Sequence, residues 1–203
     1  MEKKKVLLLG DSIRLSYCER VRELLADECD VYYPPDNCAY TLFTLWHLQI
    51  AWLPAMGLEG KDFDLIHWNN GIWEHHRNLD DLEPLSTIEQ YLYYNRRLHK
   101  QLASYTGKLI WATATPTNSH WTYDPKGLSR IPREEWDKEI CLYNDVLAAY
   151  LRHYGVWIND LHSLIAADPE RLVCEDGTHL SPEGIELVSQ QVADTIRKRL
   201  QAD

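Results

Sequence analysis

The feature that most constrains the fold of this chain is a repeated alternation of short strand-forming runs with longer amphipathic stretches. The pattern predicts strands over residues 4–9, 31–33, 63–68, 108–112 and 156–158. It predicts helices over residues 13–25, 41–55, 86–105 and 133–154, and from 181 to the C-terminus. Such alternation is typical of a parallel sheet with helices on both faces. We therefore predict an α/β fold, with one three-layer α/β/α domain over residues 1–203 and a five-stranded, flavodoxin-like parallel sheet.

Length and charge agree with this fold and exclude several classes of partner. A chain of 203 residues is close to one domain length and can bury a core without disulfides or a structural metal. The 31 acidic residues outnumber the 21 basic ones, for a net charge of −10. This balance disfavours nucleic acid and anionic membranes as partners. Five cysteines without a CxxC pair predict reduced thiols. The apolar run at residues 6–9 is too short for a signal peptide, so we expect a soluble, cytoplasmic protein.

Capping residues indicate where three of the helices begin. Asp11 or Ser12 is suited to cap the first helix, and Ser181 followed by Pro182 is suited to cap the last. Ser86 and Glu89 have the spacing of a capping box, in which each side chain satisfies a backbone N–H of the other residue.

Polar residues follow the predicted strands in four loops, at residues 10–12, 36–38, 69–71 and 176–181. In a parallel sheet these loops share one edge, where ligands bind. Ser12, His179 and Asp176 are suited to act there as nucleophile, general base and orienting carboxylate. Each residue also has an ordinary structural explanation, since Ser12 can cap a helix and Asp176 can form a turn with Gly177. Their combination favours chemistry over structure.

The motifs at the two ends of the chain resemble a known family. GDSI at residues 10–13, together with DGTHLSPEG at residues 176–184, is similar to the SGNH, or GDSL-type, hydrolases. The resemblance implies that Ser12 is the nucleophile, that His179 is its general base and that Asp176 orients His179. It also implies two-step acyl transfer through an acyl-enzyme, without metal or cofactor.

The resemblance further implies an oxyanion hole formed by the backbone N–H groups of Ser12 and Cys38 and the side chain of Asn70. Two departures from the family pattern affect this assignment. Cys38 stands where the family usually has Gly, and the usual G-x-N-D is replaced by Trp68-Asn69-Asn70-Gly71. Asn70 is the preferred alignment, and Asn69 is an alternative that we also consider for substrate binding.

The aromatic composition suggests a class of substrate. The chain has 8 Trp and 12 Tyr but only 2 Phe, and several aromatic or imidazole side chains fall in or beside the predicted edge loops: Trp68, Trp73, His75, His76, His120 and Trp121. Such rings would shorten an acyl pocket and stack on a sugar. We therefore predict a small-molecule ester substrate with a short acyl group, an acetylated sugar in particular, with Trp73 and Trp121 contacting it. The alternative is that these aromatic side chains only pack the loops.

Three other functions remain as alternatives. An acyltransferase would use the same acyl-enzyme and differ only in the acceptor. A metal-dependent phosphoesterase would draw ligands from Asp11, Asn69, Asn70, His75, His76, Asp176 and His179. A non-catalytic carbohydrate-binding protein would need no triad. An ordinary α/β-hydrolase is disfavoured, because Ser12 does not lie in a G-x-S-x-G motif.

Overall fold

A single five-stranded parallel sheet runs through the molecule. The computed structural model describes residues 2–77, 82–122 and 131–202. Within them the strands are β1 (Lys4–Leu9), β2 (Cys29–Tyr32), β3 (Leu65–Asn69), β4 (Leu109–Ala112) and β5 (Trp157–Asn159). Their order across the sheet is β2-β1-β3-β4-β5, and every neighbouring pair is parallel. The predicted sheet is therefore confirmed.

Helices cover both faces of this sheet. They are α1 (Ser12–Leu24), α2 (Thr41–His47), α3 (Leu53–Met56), α4 (Ile88–Ala103), α5 (Arg133–His153), α6 (Leu161–Ala166), α7 (Pro169–Leu172) and α8 (Pro182–Gln201). A π-helical segment, Leu48–Trp52, interrupts the single helix predicted over residues 41–55. The sequence pattern missed α6 and α7, because helices of four to six residues are too short to display a helical period.

Alternation along β1 divides the core into two layers. Val6 and Leu8 face a cluster formed with α1 and α8, and Leu7 and Leu9 face a cluster formed with α4 and the second half of α5. All four side chains are fully buried. Burying an aliphatic side chain contributes roughly 1.5–3 kcal/mol, so β1 is held from both sides and fixes the position of the loop that follows it.

The helix caps match the prediction at two helices and differ at a third. Asp11 caps α1 by accepting a hydrogen bond from the Ile13 N–H, and Ser181 caps α8 by accepting one from Gly184. The capping box of α4 is formed by Thr87 and Gln90 instead of Ser86 and Glu89. The predicted box is wrong because Ser86 is held in the preceding loop, where its N–H donates to the Glu74 carbonyl and its carbonyl accepts from the Tyr143 hydroxyl.

The cysteines and the helix lengths bear on two further predictions. All five cysteines are free, as expected for reduced thiols. Within the described residues, none of the helices combines the length and the apolar character needed to cross a bilayer.

Candidate active site

The carboxyl edge of the sheet brings the predicted loops together around Ser12. Ser12 is the first residue of α1, directly after the turn that leaves β1. At Gly10 in this turn, a Cβ atom would lie 1.9 Å from the Asn69 Oδ1 atom. The turn therefore requires glycine, because the backbone passes against the Asn69 side chain.

Ser12, His179 and Asp176 form one hydrogen-bonded chain. The His179 Nε2 atom lies 2.9 Å from the Ser12 Oγ atom, and its Nδ1 atom lies 2.8 Å from the Asp176 Oδ2 atom. The His179 and Asp176 side chains are 47% and 52% exposed. This geometry lets an imidazole take a proton from a hydroxyl while a carboxylate holds the other ring nitrogen. The site is open to solvent.

The loop over residues 174–180 is held largely by its own short-range hydrogen bonds. The Asp176 Oδ1 atom accepts from the N–H groups of Thr178 and His179, each at 2.9 Å. The Cys174 N–H donates to the His179 carbonyl at 2.7 Å. Partial burial alone would raise the pKa of Asp176, but the two backbone donors and the His179 side chain outweigh it and lower that pKa. Asp176 is thus kept ionised and in a fixed orientation beside His179.

A second loop, around Asn118, anchors the first. The Asn118 side chain donates to the carbonyls of Val173 and Cys174, each at 3.1 Å, and its N–H donates to the Gly177 carbonyl at 3.2 Å. Gly177 has φ +83°, and a Cβ atom there would lie 2.5 Å from the Trp121 backbone nitrogen. Asn118 could not be singled out from the sequence, because the residues that it anchors are more than 50 positions away in the chain.

Asn69 lies beside the nucleophile turn. Its Nδ2 atom donates to the Asp11 Oδ1 atom at 2.8 Å, and its Oδ1 atom accepts from the Tyr17 hydroxyl at 3.4 Å. Burial raises the pKa of Asp11, whose Oδ2 atom has no hydrogen-bond partner among the described residues. Through this bond to Asp11, the Asn69 amide is fixed directly to the residue before Ser12.

Asn70, which we preferred as the oxyanion donor, belongs to a different network. Its Nδ2 atom donates to the Asn95 Oδ1 atom at 2.9 Å and to the Thr41 hydroxyl, and its Oδ1 atom accepts from the Trp111 indole at 3.1 Å. The side chain is buried, and its amide hydrogens are both used. This geometry corrects the assignment, because Asn70 has no free donor to offer an oxyanion.

The expected backbone donor at Cys38 is also committed elsewhere. The Cys38 N–H donates to the Gly10 carbonyl at 3.0 Å and fastens the loop to the nucleophile turn. The next residue, Ala39, has φ +48° and donates its N–H to the Asn37 Oδ1 atom at 2.8 Å. The assignment of Cys38 to the oxyanion hole is therefore corrected as well, since its N–H holds the loop in place.

A buried arginine, missed by the sequence analysis, joins the same two segments. The Arg14 guanidinium donates to the carbonyls of Gly10 (3.2 Å), Pro34 (2.9 Å) and Asp36 (2.6 Å). The side chain is fully buried. A signal for it was present, because a cation in the first turn of a helix opposes the helix dipole and needs another reason to be there.

The predicted aromatic residues divide between a connected cluster and the core. In the cluster, the ring centroids of Trp73 and His76 are 5.1 Å apart, those of His76 and Trp136 5.7 Å, and those of Trp121 and Trp136 4.4 Å. The indole N–H groups of Trp121 and Trp136 are buried and have no acceptor in the part of the chain that the structure describes. Trp73 and Trp121 are thus linked by ring contacts, and Trp121 also lies against the loop that carries His179.

The remaining edge residues are placed differently. Trp68 and His75 are buried in the structure, where His75 contacts Glu139, and His120 is exposed. The ligands suggested for a metal centre lie in separate networks. Within the ranges that the structure describes, no three His, Cys, Asp or Glu side chains form a group suited to hold a metal ion.

Solved structures of several hydrolases share this fold. No protein-family model and no curated protein sequence matches the chain. A lipase/acylhydrolase from Enterococcus faecalis superposes on it with a TM-score of 0.70 at 20% identity, over 98% of each chain. A GDSL-like lipase from Bacteroides thetaiotaomicron does so with a TM-score of 0.67 at 11% identity, over 96% of this chain and 88% of that one. A catalytic mutant of an acetylxylan esterase from Geobacillus stearothermophilus gives 0.69 at 11% identity, over 100% of this chain and 97% of that one. The chain therefore has the fold of the SGNH, or GDSL-type, hydrolases, as its terminal motifs predicted.

Proposed function

We propose that this protein is a serine ester hydrolase with Ser12 as nucleophile, His179 as general base and Asp176 as orienting carboxylate. The observation that carries the proposal is the chain of hydrogen bonds from Ser12 Oγ to His179 Nε2 (2.9 Å) and from His179 Nδ1 to Asp176 Oδ2 (2.8 Å). The fold shared with acylhydrolases and acetylxylan esterases supports the reaction class.

The reaction follows from the positions of these atoms. The Ser12 Oγ atom attacks the ester carbonyl carbon while the His179 Nε2 atom takes the hydroxyl proton. The tetrahedral intermediate then expels the alcohol, which receives that proton from His179. A water molecule, deprotonated by His179, attacks the acyl-enzyme, and the acid leaves as Ser12 regains its proton. Asp176 stabilises the imidazolium in both halves of the cycle.

The oxyanion requires donors that are not already committed. The N–H of Ser12 is one, because the first N–H groups of a helix have no intrahelical acceptor. The second hydrogen on the Asn69 Nδ2 atom is another, because among the described residues this atom donates to Asp11 alone. We therefore replace Cys38 and Asn70 by Asn69 in the proposed oxyanion hole. Losing one such donor typically lowers the rate by about 10²–10³.

We further propose a short acyl group, acetyl in particular, carried by a sugar. The exposed His179 and Asp176 side chains can accept a bulky alcohol without a lid. The cluster containing Trp73 and Trp121 offers aromatic surface beside them, and two of the similar structures are described as acetylxylan esterases. Exposure to water favours hydrolysis over transfer to another acceptor.

The first test is hydrolysis of p-nitrophenyl acetate and p-nitrophenyl butyrate by the wild type and Ser12→Ala, with and without EDTA. We expect activity that is lost in Ser12→Ala and unaffected by EDTA, with acetate preferred. Ser16→Ala is the matched control, since Ser16 lies one turn further along α1 and its hydroxyl donates to the Ile13 carbonyl within the same helix. Activity that survives in Ser12→Ala would refute the proposed mechanism.

The sugar is tested separately. Trp73→Ala should raise KM for an acetylated xylooligosaccharide and leave KM for p-nitrophenyl acetate unchanged. Trp46→Ala is the control, because Trp46 is a 65% exposed indole on α2. An equal effect of Trp73→Ala on both substrates would contradict the proposed sugar contact.

A further inference from the structure

A groove of about 840 Å³ lies between the outer faces of α4 and α5. Its walls come from residues 92–103 of α4 and from residues 146–154 at the end of α5. Helices that connect parallel strands run back from the carboxyl edge, so these walls lie toward the opposite edge of the sheet from Ser12. The groove is therefore separate from the proposed active site.

The groove concentrates positive charge on an acidic protein. Arg96, Arg97 and Lys100 line it, and none of the described lining residues is Asp or Glu. None of these three side chains pairs with a carboxylate in the described part of the chain. Elsewhere, surface arginines such as Arg20 and Arg197 each contact two carboxylates. Three neighbouring cations are thus left without a counter-charge on a chain of net charge −10.

The spacing of these cations is unfavourable by itself. Arg96 and Lys100 are four residues apart on α4, and Arg97 and Lys100 are three apart, so both pairs are neighbours on the helix surface. Like charges at these spacings destabilise a helix. An anion bound between them would remove this repulsion.

Tyrosine rings hold the two guanidinium groups in place. Arg96 lies over the Tyr150 ring at 5.2 Å, and Arg97 lies over the Tyr93 ring at 5.8 Å. The Tyr150 hydroxyl is itself fixed, 3.2 Å from the His99 Nδ1 atom. Because the arginines are already ordered, they lose little side-chain entropy when their planar donors bind an oxyanion.

We propose that this groove binds a small organic phosphate ester. A phosphate monoester carries a charge of about −1.5 to −2 at pH 7 and three acceptor oxygens, so it matches three cations better than a singly charged carboxylate does. Arg96 and Arg97 cover the Tyr150 and Tyr93 rings, so the organic part would lie against the Tyr154 ring, which is 58% exposed.

Two other occupants fit the groove less well. A long polyanion would be repelled by the net charge of −10. Stacking of its successive bases would need several free ring faces, and arginine covers those of Tyr93 and Tyr150. A second copy docked by two-fold symmetry would bring the same cations face to face.

The test is calorimetric titration with phenyl phosphate in a phosphate-free buffer of low ionic strength. We compare the wild type with the triple variant Arg96→Gln/Arg97→Gln/Lys100→Gln. Arg152→Gln is the matched control, because Arg152 is an exposed arginine of α5 that does not line the groove. The wild type should bind one phenyl phosphate saturably, and the triple variant should bind it at least about tenfold more weakly, since each lost charged hydrogen bond is worth a factor of that order. Arg152→Gln should match the wild type.

Further measurements separate the alternatives. Inorganic phosphate and benzoate should both bind more weakly than phenyl phosphate. The unliganded triple variant should melt no lower than the wild type and should hydrolyse p-nitrophenyl acetate normally, and Lys100→Gln alone should give a smaller loss of affinity. Equal affinity in the triple variant, no saturable binding by the wild type, or tighter binding of a short oligothymidylate than of phenyl phosphate would overturn the proposal.

Discussion

The two loops that flank Ser12 are built in opposite ways. The loop over residues 174–180 carries Asp176 and His179 on an exposed turn, held mainly by hydrogen bonds between near neighbours in the chain. The loop over residues 34–41 is buried on one side and is held by Arg14 and by the network of Thr41 and Glu74. Thr41 donates its N–H and its hydroxyl to the Glu74 carboxylate.

This difference separates chemistry from stability. The exposed His179 side chain can be removed with little loss of packing, so its substitution should affect the reaction alone. Side chains that hold the buried loop satisfy polar groups inside the protein, where an unpaired group costs about 1–3 kcal/mol. Substitutions there should change activity and the free energy of unfolding together.

The largest expected effect is that of His179→Ala. Esterase activity should fall by at least about 10³, because removing the base leaves Ser12 unactivated. The cooperative melt should stay where it is, because the side chain is 47% exposed. His153→Ala, at an exposed histidine of α5, is the control for both measurements. A collapsed melt with partial activity would make His179 a structural residue.

Asn69→Ala and Asn70→Ala test the two amides against each other. Asn69→Ala should lower kcat by about 10²–10³, the usual cost of losing an oxyanion donor. Asn70→Ala should mainly lower the free energy of unfolding, by about 1–3 kcal/mol, because it removes the donor to the Asn95 Oδ1 atom and the acceptor of the Trp111 indole N–H. Steady-state kinetics measures kcat of both variants, and urea unfolding measures their free energies of unfolding. The reverse pattern would return the oxyanion role to Asn70.

Arg14→Lys should affect both properties to an intermediate degree. A lysine can reach one of the three carbonyls that Arg14 contacts, so we expect a loss of about 2–4 kcal/mol in the free energy of unfolding. Misplacement of the loop should lower kcat by roughly 10–100-fold at a temperature where the variant is folded. Arg22→Lys is the control, because Arg22 lies on the same helix and pairs with Glu19 at the surface. An unchanged kcat in folded Arg14→Lys would show that the loop does not position the reaction.

The last expected effect is a pH dependence of stability at Glu74. Burial raises the pKa of Glu74 to about 7, whereas an unfolded glutamate has a pKa of about 4.3. Between these values the folded state retains a proton that the unfolded chain has lost, so stability falls as pH rises toward 7. The total fall is on the order of 3 kcal/mol.

Urea unfolding at pH 5 and pH 8 measures this slope. Glu74→Gln should reduce it, and Glu175→Gln, at an exposed glutamate, should not. Burial also raises the pKa of Asp11, which adds a slope in both proteins, so the difference between variant and wild type isolates Glu74. Identical slopes in the wild type and Glu74→Gln would contradict the assignment.

The sheet and the exposed loop were predictable because their signals are local. Alternation of strand and helix fixes a parallel sheet, and the carboxyl ends of its strands meet at one edge. Asp176 and His179 are three residues apart and contact each other within one turn. Ser12 follows the first strand, so the common edge of the parallel sheet was enough to predict that it lies near them.

The buried side of the site was not predictable, because it depends on register and on distant contacts. We expected the third strand to end at Trp68, and β3 ends at Asn69. Asn69 therefore still belongs to the strand, and because successive side chains point in opposite directions, Asn69 and Asn70 contact different groups. Cys38 was misassigned because nothing near it in the sequence shows that its N–H would bond to Gly10, 28 positions earlier.

The close approach of Gly177 to Trp121 bears on how this architecture can be altered. The turn bearing Asp176 and His179 is fastened to Asn118 and has no room for a Cβ atom at Gly177. The two segments, although distant in the chain, therefore form one structural unit. If the terminal motif were grafted onto a related scaffold without the Asn118–Trp121 segment, the Asp–His pair would be complete. Its loop would lack these anchoring contacts, so the histidine should be misaligned with the serine. Recombination designs should exchange the two segments together.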